Sequence, residues 1–287
     1  MTLLAVCLKA ARRTDVAVRT EQSGRGPCHE GTPPGLSPAD GSALGLALRL
    51  REALPGSARV LALTVGPPAW DSVLRAALGF GADEALRLGY AGAGAEAADG
   101  SADTTQARAR AAAGLLGNLA PTLVLVGERS GDDGHGCFGA CLAHALGAAY
   151  ARAVTEAQPR DGGWRVLARL ERGYTQQLDL RSPAVLAVSA QAPPPSYPAL
   201  PAWLAGHGAA IAARETAAPP PPRSATTLRP PRPRVKRQAP PPADADAEAR
   251  IRALLATGGA AGGTVLGVEV GPERQAEAIL ALLRERG

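Results

Sequence analysis

Aromatic side chains are scarce in this chain, with two Phe, four Tyr and three Trp among 287 residues, so a core has to be assembled from Ala, Val and Leu. Long apolar runs are missing as well: no stretch approaches the roughly 20 residues that cross a bilayer. Four cysteines, Cys7, Cys28, Cys137 and Cys141, fall short of the density of a disulfide-stapled secreted scaffold. None of them forms a Cys-x-x-Cys pair that would suggest an iron–sulfur site. The opening MTLLAVCLKAARR places Lys9, Arg12 and Arg13 after its apolar segment, the reverse of a signal peptide. A cytoplasmic setting is expected.

Acidic residues are absent between Glu215 and Asp244, where Arg223, Arg229, Arg232, Arg234, Lys236 and Arg237 all lie. Taking those six from the 31 Lys and Arg leaves 25 against 26 acids, so the net charge of +5 belongs to this segment. Its sequence, TAAPPPPRSATTLRPPRPRVKRQAPPP, is too rich in proline for a helix or a central strand and predicts an extended arm. A passive linker, a nucleic-acid tail and an arm laid on an acidic partner all fit a Pro/Arg arm. Composition favours the linker, and the lack of aromatics argues against stacking on single strands, so no nucleic-acid partner is expected.

Strand and helix signals alternate in what remains. Leu3 to Lys9 reads as a strand, and Arg12 to Pro34 as a long connection. Ser37 offers an N-cap, Pro38 the first helical position, and LGLALRLREAL an amphipathic stripe. RVLALTV, ending at Val65, is a second strand, followed by a turn at Gly66, Pro67 and Pro68 and a helix over about 69–78. EALRL supplies a third strand near Glu84, and a helix capped by Ser101 or Asp103 runs to about Leu119. RAVTEA, WRVLARLE, TQQLDL and PAVLAVS then read as successive β segments. The predicted fold class is α/β, a mostly parallel, doubly wound, Rossmann-like sheet with an antiparallel β extension and a C-terminal arm.

The segment TLVLVGERSGDDGHGCFG carries the most chemistry. An apolar strand delivers the chain to Gly127, a loop studded with Gly131, Gly134, Gly136 and Gly139 follows, and a helix pattern resumes from Cys137 and Phe138. Glycines let backbone amides approach a ligand, and the helix start adds its positive end, a layout suited to a nucleotide. Ser130, Asp132 and Asp133 suit a ribose or base, because a carboxylate repels phosphate. The same layout also serves as a plain tight turn.

Rival chemistry fits less well. His135, Cys137, Cys141 and His144 look like metal ligands, yet Cys137 and His144 stand about 10 Å apart along a helix axis. Ser130, Asp132 and His135 invite a hydrolase reading, but no Gly-x-Ser-x-Gly elbow positions the serine.

Several segments together resemble the β subunit of electron transfer flavoprotein, the FixA-like family, in a divergent form. LARLERGYTQQLDLRSPAVLAV resembles the family signature, with Arg169, Gly173, Gln176, Pro183 and Ala184 in its places. AVCLK, SPADGSALGLALRLRE, TVGP with LRAALGFGADEALRL, and SYPALP resemble further family segments in the same order, over about Leu3 to Pro201.

The resemblance implies a heterodimer with an α subunit that acts as an electron carrier rather than an enzyme. FAD would lie mainly in the α subunit and AMP, or a second FAD, in this chain. A dehydrogenase would be the electron donor, and a membrane quinone oxidoreductase is an acceptor the family admits. The nucleotide pocket would be lined by Cys7, Lys9, Ser37, Pro38, Asp40, Val65, Gly66, Gly127, Ser130, Asp132, Gly134, Gly136, Cys137, Phe138 and Gly139.

Residues 1–190 would form the nucleotide-binding domain, 191–215 a partner-recognition loop region, 216–247 the extended arm, and 248–287 a helical or αβ extension. The chain departs from the family at Ser37, where Asn is usual, and at Cys137, which lacks the paired donor and acceptor of the usual Gln. It also lacks the Lys-rich run after Leu200 and, at Ala190 to Pro194, the leucine anchor and Asn-Glu pair. These departures point to altered dehydrogenase recognition and to a specialised subgroup, such as the one associated with mycofactocin redox systems. An adenine-nucleotide-binding enzyme or a nucleotide-sensing module of the same superfold is the alternative.

Overall fold

The computed structural model describes residues 2–11, 19–20, 27–28, 35–90, 102–132, 134–217, 246–248 and 271–285. Two compact units divide the chain, Met1–Arg229 and Pro230–Gly287.

In the first unit β1 (Thr2–Cys7) is followed by three short pieces, β2 (Ala10–Ala11), β3 (Arg19–Thr20) and β4 (Pro27–Cys28). Then come β5 (Gly35–Leu36), α1 (Pro38–Ala53), β6 (Ala58–Val65) and α2 (Asp71–Gly79), the last entered through a 3-10 turn at Pro68–Trp70. β7 (Glu84–Tyr90), α3 (Ala102–Leu119), β8 (Leu123–Gly127) and α4 (Phe138–Leu146) complete the alternating part. An antiparallel extension follows in β9 (Ala149–Arg160), β10 (Gly163–Arg169) and β11 (Thr175–Arg181). Strand β12 (Ala184–Val188), helix α5 (Leu200–Gly208) and strand β13 (Ala212–Thr216) end the unit.

Nine strands form one sheet in the order β11-β10-β9-β12-β8-β1-β6-β7-β13. β9, β12, β8, β1, β6, β7 and β13 pair in parallel, and β10 adds to β9 and β11 to β10 antiparallel. β9 does both: its first half pairs with β12 and its second with β10, the halves meeting near Ala153, whose φ is 54°.

Alternation along the strands builds two cores. Leu4, Val6, Val60, Ala62, Leu123, Leu125 and Leu186 face one layer with α1 and α2. Ala5, Leu61, Leu63, Val124, Val126 and Val185 face the other with α3 and α4. Leu4, Leu123, Leu125 and Leu186 are fully buried, each contributing about 1.5–3 kcal/mol of apolar transfer. The direction of winding, not of the strands, reverses between β1 and β8: from β1 the fold winds outward through β6 and β7, and β8 begins the other half. Such a reversal leaves a crevice at the carboxyl ends of the two strands.

Helix α1 starts as its sequence predicts: the Ser37 side chain accepts a hydrogen bond from the Asp40 N–H, and Pro38 opens the helix. Gly45 in α1 passes directly beneath the 193–195 segment, where a Cβ would stand 2.6 Å from the Pro194 carbonyl carbon. The 191–215 region expected as a recognition loop contains regular structure. α5 packs on α2 through Gly206 and Gly79 and an edge-on Phe80–Trp203 contact at 5.5 Å, and β13 extends the sheet beyond β7. Exposed Tyr197 and Leu200 lie at the entrance to α5.

In the second unit the helix PERQAEAILALLRE, here α6 (Pro272–Glu285), forms as expected. The Pro/Arg arm, apart from its ends, and the strand-like TVLGVEV lie outside the described residues. No helix among the described residues is long and apolar enough to cross a membrane.

Candidate functional site

The crevice at the β1/β8 reversal opens into a cleft. Strand tips supply its floor: Cys7, Leu8 and Lys9 from the end of β1, Leu63 and Val65 from β6, and Gly127 from β8. Its walls are Glu128, Arg129, Ser130, His135, Gly136 and Phe138 from the glycine loop and the start of α4, with Trp70, Thr105 and Arg108.

One carboxylate ties the crevice together. Asp40, 5% exposed, accepts from the Ser37 hydroxyl at 2.9 Å and from the Lys9 N–H at 3.4 Å through Oδ2. Its Oδ1 accepts from the Gly127 N–H at 3.2 Å. Three segments far apart in sequence, the exits of β1 and β8 and the entry to α1, therefore share one acceptor group. A side chain at Gly127 would place its Cβ 2.5 Å from Asp40 Oδ1, so glycine is needed for the strand tip to approach.

Burial raises the Asp40 carboxyl to about 6, against the opposing effect of the hydrogen bonds from Ser37, Lys9 and Gly127 and of the Lys9 charge. Burial, and next to it the Asp40 charge, pushes the Cys7 thiol up to about 12. Cys7 is thus a neutral wall residue, unsuited to nucleophilic or metal chemistry at physiological pH.

The glycine loop is latched to β1. Lys9 Nζ pairs with Asp132 Oδ1 at 2.8 Å and reaches Ser130 Oγ at 3.4 Å, while the Gly134 N–H donates to Ser130 Oγ at 3.3 Å. Gly134 and Gly136 have φ of 62° and 65°, the left-handed region that favours glycine. Thr105 and His135 meet at 3.4 Å and join α3 to the loop. The stack of Arg108 on Trp70, 5.0 Å from guanidinium to ring centroid, closes the β6 side.

Of the residues singled out by sequence, Cys7, Lys9, Asp40, Val65, Gly127, Ser130, Gly136 and Phe138 line the cleft. The others take supporting places. Ser37 and Pro38 begin α1 and orient Asp40, and Asp132 pairs with Lys9. Gly66 lies under the Trp70 ring, Gly134 shapes the loop, and Cys137 occupies the N-cap position of α4. Gly139 packs in the core, where a Cβ would meet Val126, Tyr150 and Ala187. Sequence reasoning passed over Leu8, Leu63, Trp70, Thr105 and Arg108, and in the loop from Gly127 through Gly139, which it expected to close the pocket, it did not single out Glu128, Arg129 or His135 as contacts. Leu63 could have been found from its position two residues before the strand end at Val65, the same side of the sheet.

A family model described as electron transfer flavoprotein domain matches residues 28–222, more than half of the chain. The caffeyl-CoA reductase-Etf complex subunit CarD of Acetobacterium woodii is 32% identical over 168 residues, covering 58% of this chain and 61% of that protein. The electron transfer flavoprotein subunit beta of Methylophilus methylotrophus is 29% identical over 167 residues, with 58% and 61% covered. That of Thermoanaerobacterium thermosaccharolyticum is 29% identical over 171 residues, with 60% and 62% covered. The chain thus spans about three fifths of the length of these relatives.

Proposed function

Since the chain belongs to the electron transfer flavoprotein domain family, we propose that it is the β-type subunit of a heterodimeric electron carrier, holding a nucleotide in the β1/β8 cleft and supporting FAD carried mainly by an α subunit. The observation that carries this reading is the convergence, on one crevice, of the strand tips at Cys7–Lys9, Val65 and Gly127 with a glycine loop that leads into a helix. Crevices of this kind bind nucleotides in open α/β sheets.

The residues present fit such a group. Gly134 and Gly136 hold the loop in a form that brings main chain close to a ligand, and the α4 N-terminus favours an anion. Leu63, Val65 and Phe138 offer apolar surface to a ring. AMP, or a second FAD, is the nucleotide proposed here. The flavin, when bound, supplies the capacity to take up and release electrons. This chain's task is position and electrostatics, and no side chain is assigned covalent chemistry. Exposed Tyr197 and Leu200 at the start of α5 suit a partner's apolar surface, and a dehydrogenase is the donor proposed to dock there.

Co-expression with an electron transfer flavoprotein α subunit tests this reading. A yellow complex that survives gel filtration and is bleached by a reductant is expected. Elution of this chain alone and colourless, beside a folded α subunit, would overturn it.

A further inference from the structure

Helix α6 carries an apolar stripe that the described residues leave open. Ala276, Ile279 and Leu280 recur at the i, i+3, i+4 spacing of one helix face. Ile279 is 56% exposed and Leu280 51%, and among the described side chains of α6 only Gln275 is even half-buried. A helix of 14 residues is marginal by itself in water, so such a stripe calls for a partner surface.

The charges beside the stripe point to what that surface is. Glu277 and Arg284 lie two turns apart, and both neighbour Leu280, three residues from the first and four from the second. They therefore share one flank of the stripe, about 10 Å apart along the axis. When two such helices pack antiparallel about a two-fold axis, like flanks face each other, and Glu277 of each copy meets Arg284 of the other. The axis passes beside Leu280, which packs against its own counterpart. A parallel pair sets identical residues level and makes neither contact. Antiparallel packing also opposes the two helix dipoles, whose ends are complemented by Glu273 in the first turn and Arg284 in the last.

A lipid surface matches α6 poorly. Glu273, Glu277 and Glu285 outnumber Arg274 and Arg284 in the helix, whereas a helix lying on a membrane has a polar face rich in Lys and Arg. We propose that α6 is a self-association element, pairing antiparallel with α6 of a second copy of this chain through Ala276, Ile279 and Leu280 and flanked by two Glu277–Arg284 contacts. The pairing asks nothing of the β1/β8 cleft, so its outcome is independent of the nucleotide reading.

Sedimentation velocity of the full-length protein over a concentration series tests this. The wild type is expected to form a concentration-dependent species of twice the 29.1 kDa chain mass. Leu280→Glu sets two carboxylates together at the axis and leaves a monomer. Glu277→Arg and Arg284→Glu each bring like charges together at both symmetric contacts and weaken the dimer about tenfold. Mixing those two variants restores it as a heterodimer, because one copy then carries only cations and the other only carboxylates at the two positions. Circular dichroism checks that each variant folds, and rescue by mixing separates a lost contact from a damaged helix. A wild type that stays monomeric throughout overturns the proposal. So does a dimer that neither charge variant weakens, or a weakening that mixing fails to reverse.

Discussion

Replacing Asp40 by asparagine separates the two things this carboxylate does, accepting three hydrogen bonds and carrying a buried charge. Aspartate ionises near 3.8 when unperturbed, and burial lifts Asp40 to about 6 in the fold. That separation corresponds to about 3 kcal/mol. Because the folded value is the raised one, the contribution of Asp40 is fully present below about pH 4 and is lost as pH rises through about 6.

Asparagine carries no such charge. It keeps one acceptor but turns an amino group toward either Gly127 N–H or Lys9 N–H and the Ser37 hydroxyl, leaving a buried donor unpaired at a cost of about 1–3 kcal/mol. Near pH 7.5 the lost hydrogen bonding and the relieved charge roughly cancel, so Asp40→Asn should lie within about 2 kcal/mol of the wild type. Toward pH 4 the wild type should gain about 2–3 kcal/mol relative to the variant. Urea unfolding followed by circular dichroism at pH 4, 6 and 7.5 measures both chains, and other titrating groups drop out of the difference. A difference that stays constant to about 0.5 kcal/mol over that range would refute the argument that Asp40 is ionised in a buried site at neutral pH.

Gly127→Ala should destabilise by about 1–3 kcal/mol, because its methyl falls on Asp40 Oδ1 and near the Asp40 backbone nitrogen, and the urea midpoint reports it. Gly45→Ala should cost a similar amount, since its methyl meets the main chain of Pro193 to Pro195; a melting temperature equal to the wild type would contradict that packing. Lys9→Ala releases Asp132 and Ser130, and limited trypsin digestion after Arg129 should quicken several-fold while the far-ultraviolet spectrum stays the same.

Much of the alternating part was legible because local chemistry and burial agree. Ser37 and Pro38 read as a helix start and form one, and the apolar RVLALTV and TLVLVG become central strands. The strand tips singled out from the sequence, Cys7, Lys9, Val65 and Gly127, meet in one cleft. Residues that reach the site from helices were harder to see. Arg108 sits among alanines in α3, where a charge reads as a solvated face, and only the tertiary fold turns it onto Trp70. Trp70 belongs to a 3-10 turn whose prolines signal a bend without showing which way the indole faces.

The place of Asp132 in a glycine loop points to a ligand contact, and its pairing with Lys9, 123 residues away, is a tertiary feature that local sequence does not show. α5 and β13 escaped because LPAWLAGHG carries two glycines and a proline, and AARET has none of the apolar alternation of a buried strand. β13 is held by pairing with β7 at the sheet edge, a term that single-strand pattern cannot contain.

The account stands or falls on whether the crevice between β1 and β8 holds a nucleotide. Denaturing the purified complex with its α subunit and quantifying the released small molecules by chromatography and mass spectrometry answers this directly. Beyond the flavin carried by the α subunit, one further nucleotide per copy of this chain is expected, lost in Gly136→Val, whose bulk would crowd Arg129 at the cleft wall. A pure, folded complex that releases no nucleotide beyond that flavin would contradict it.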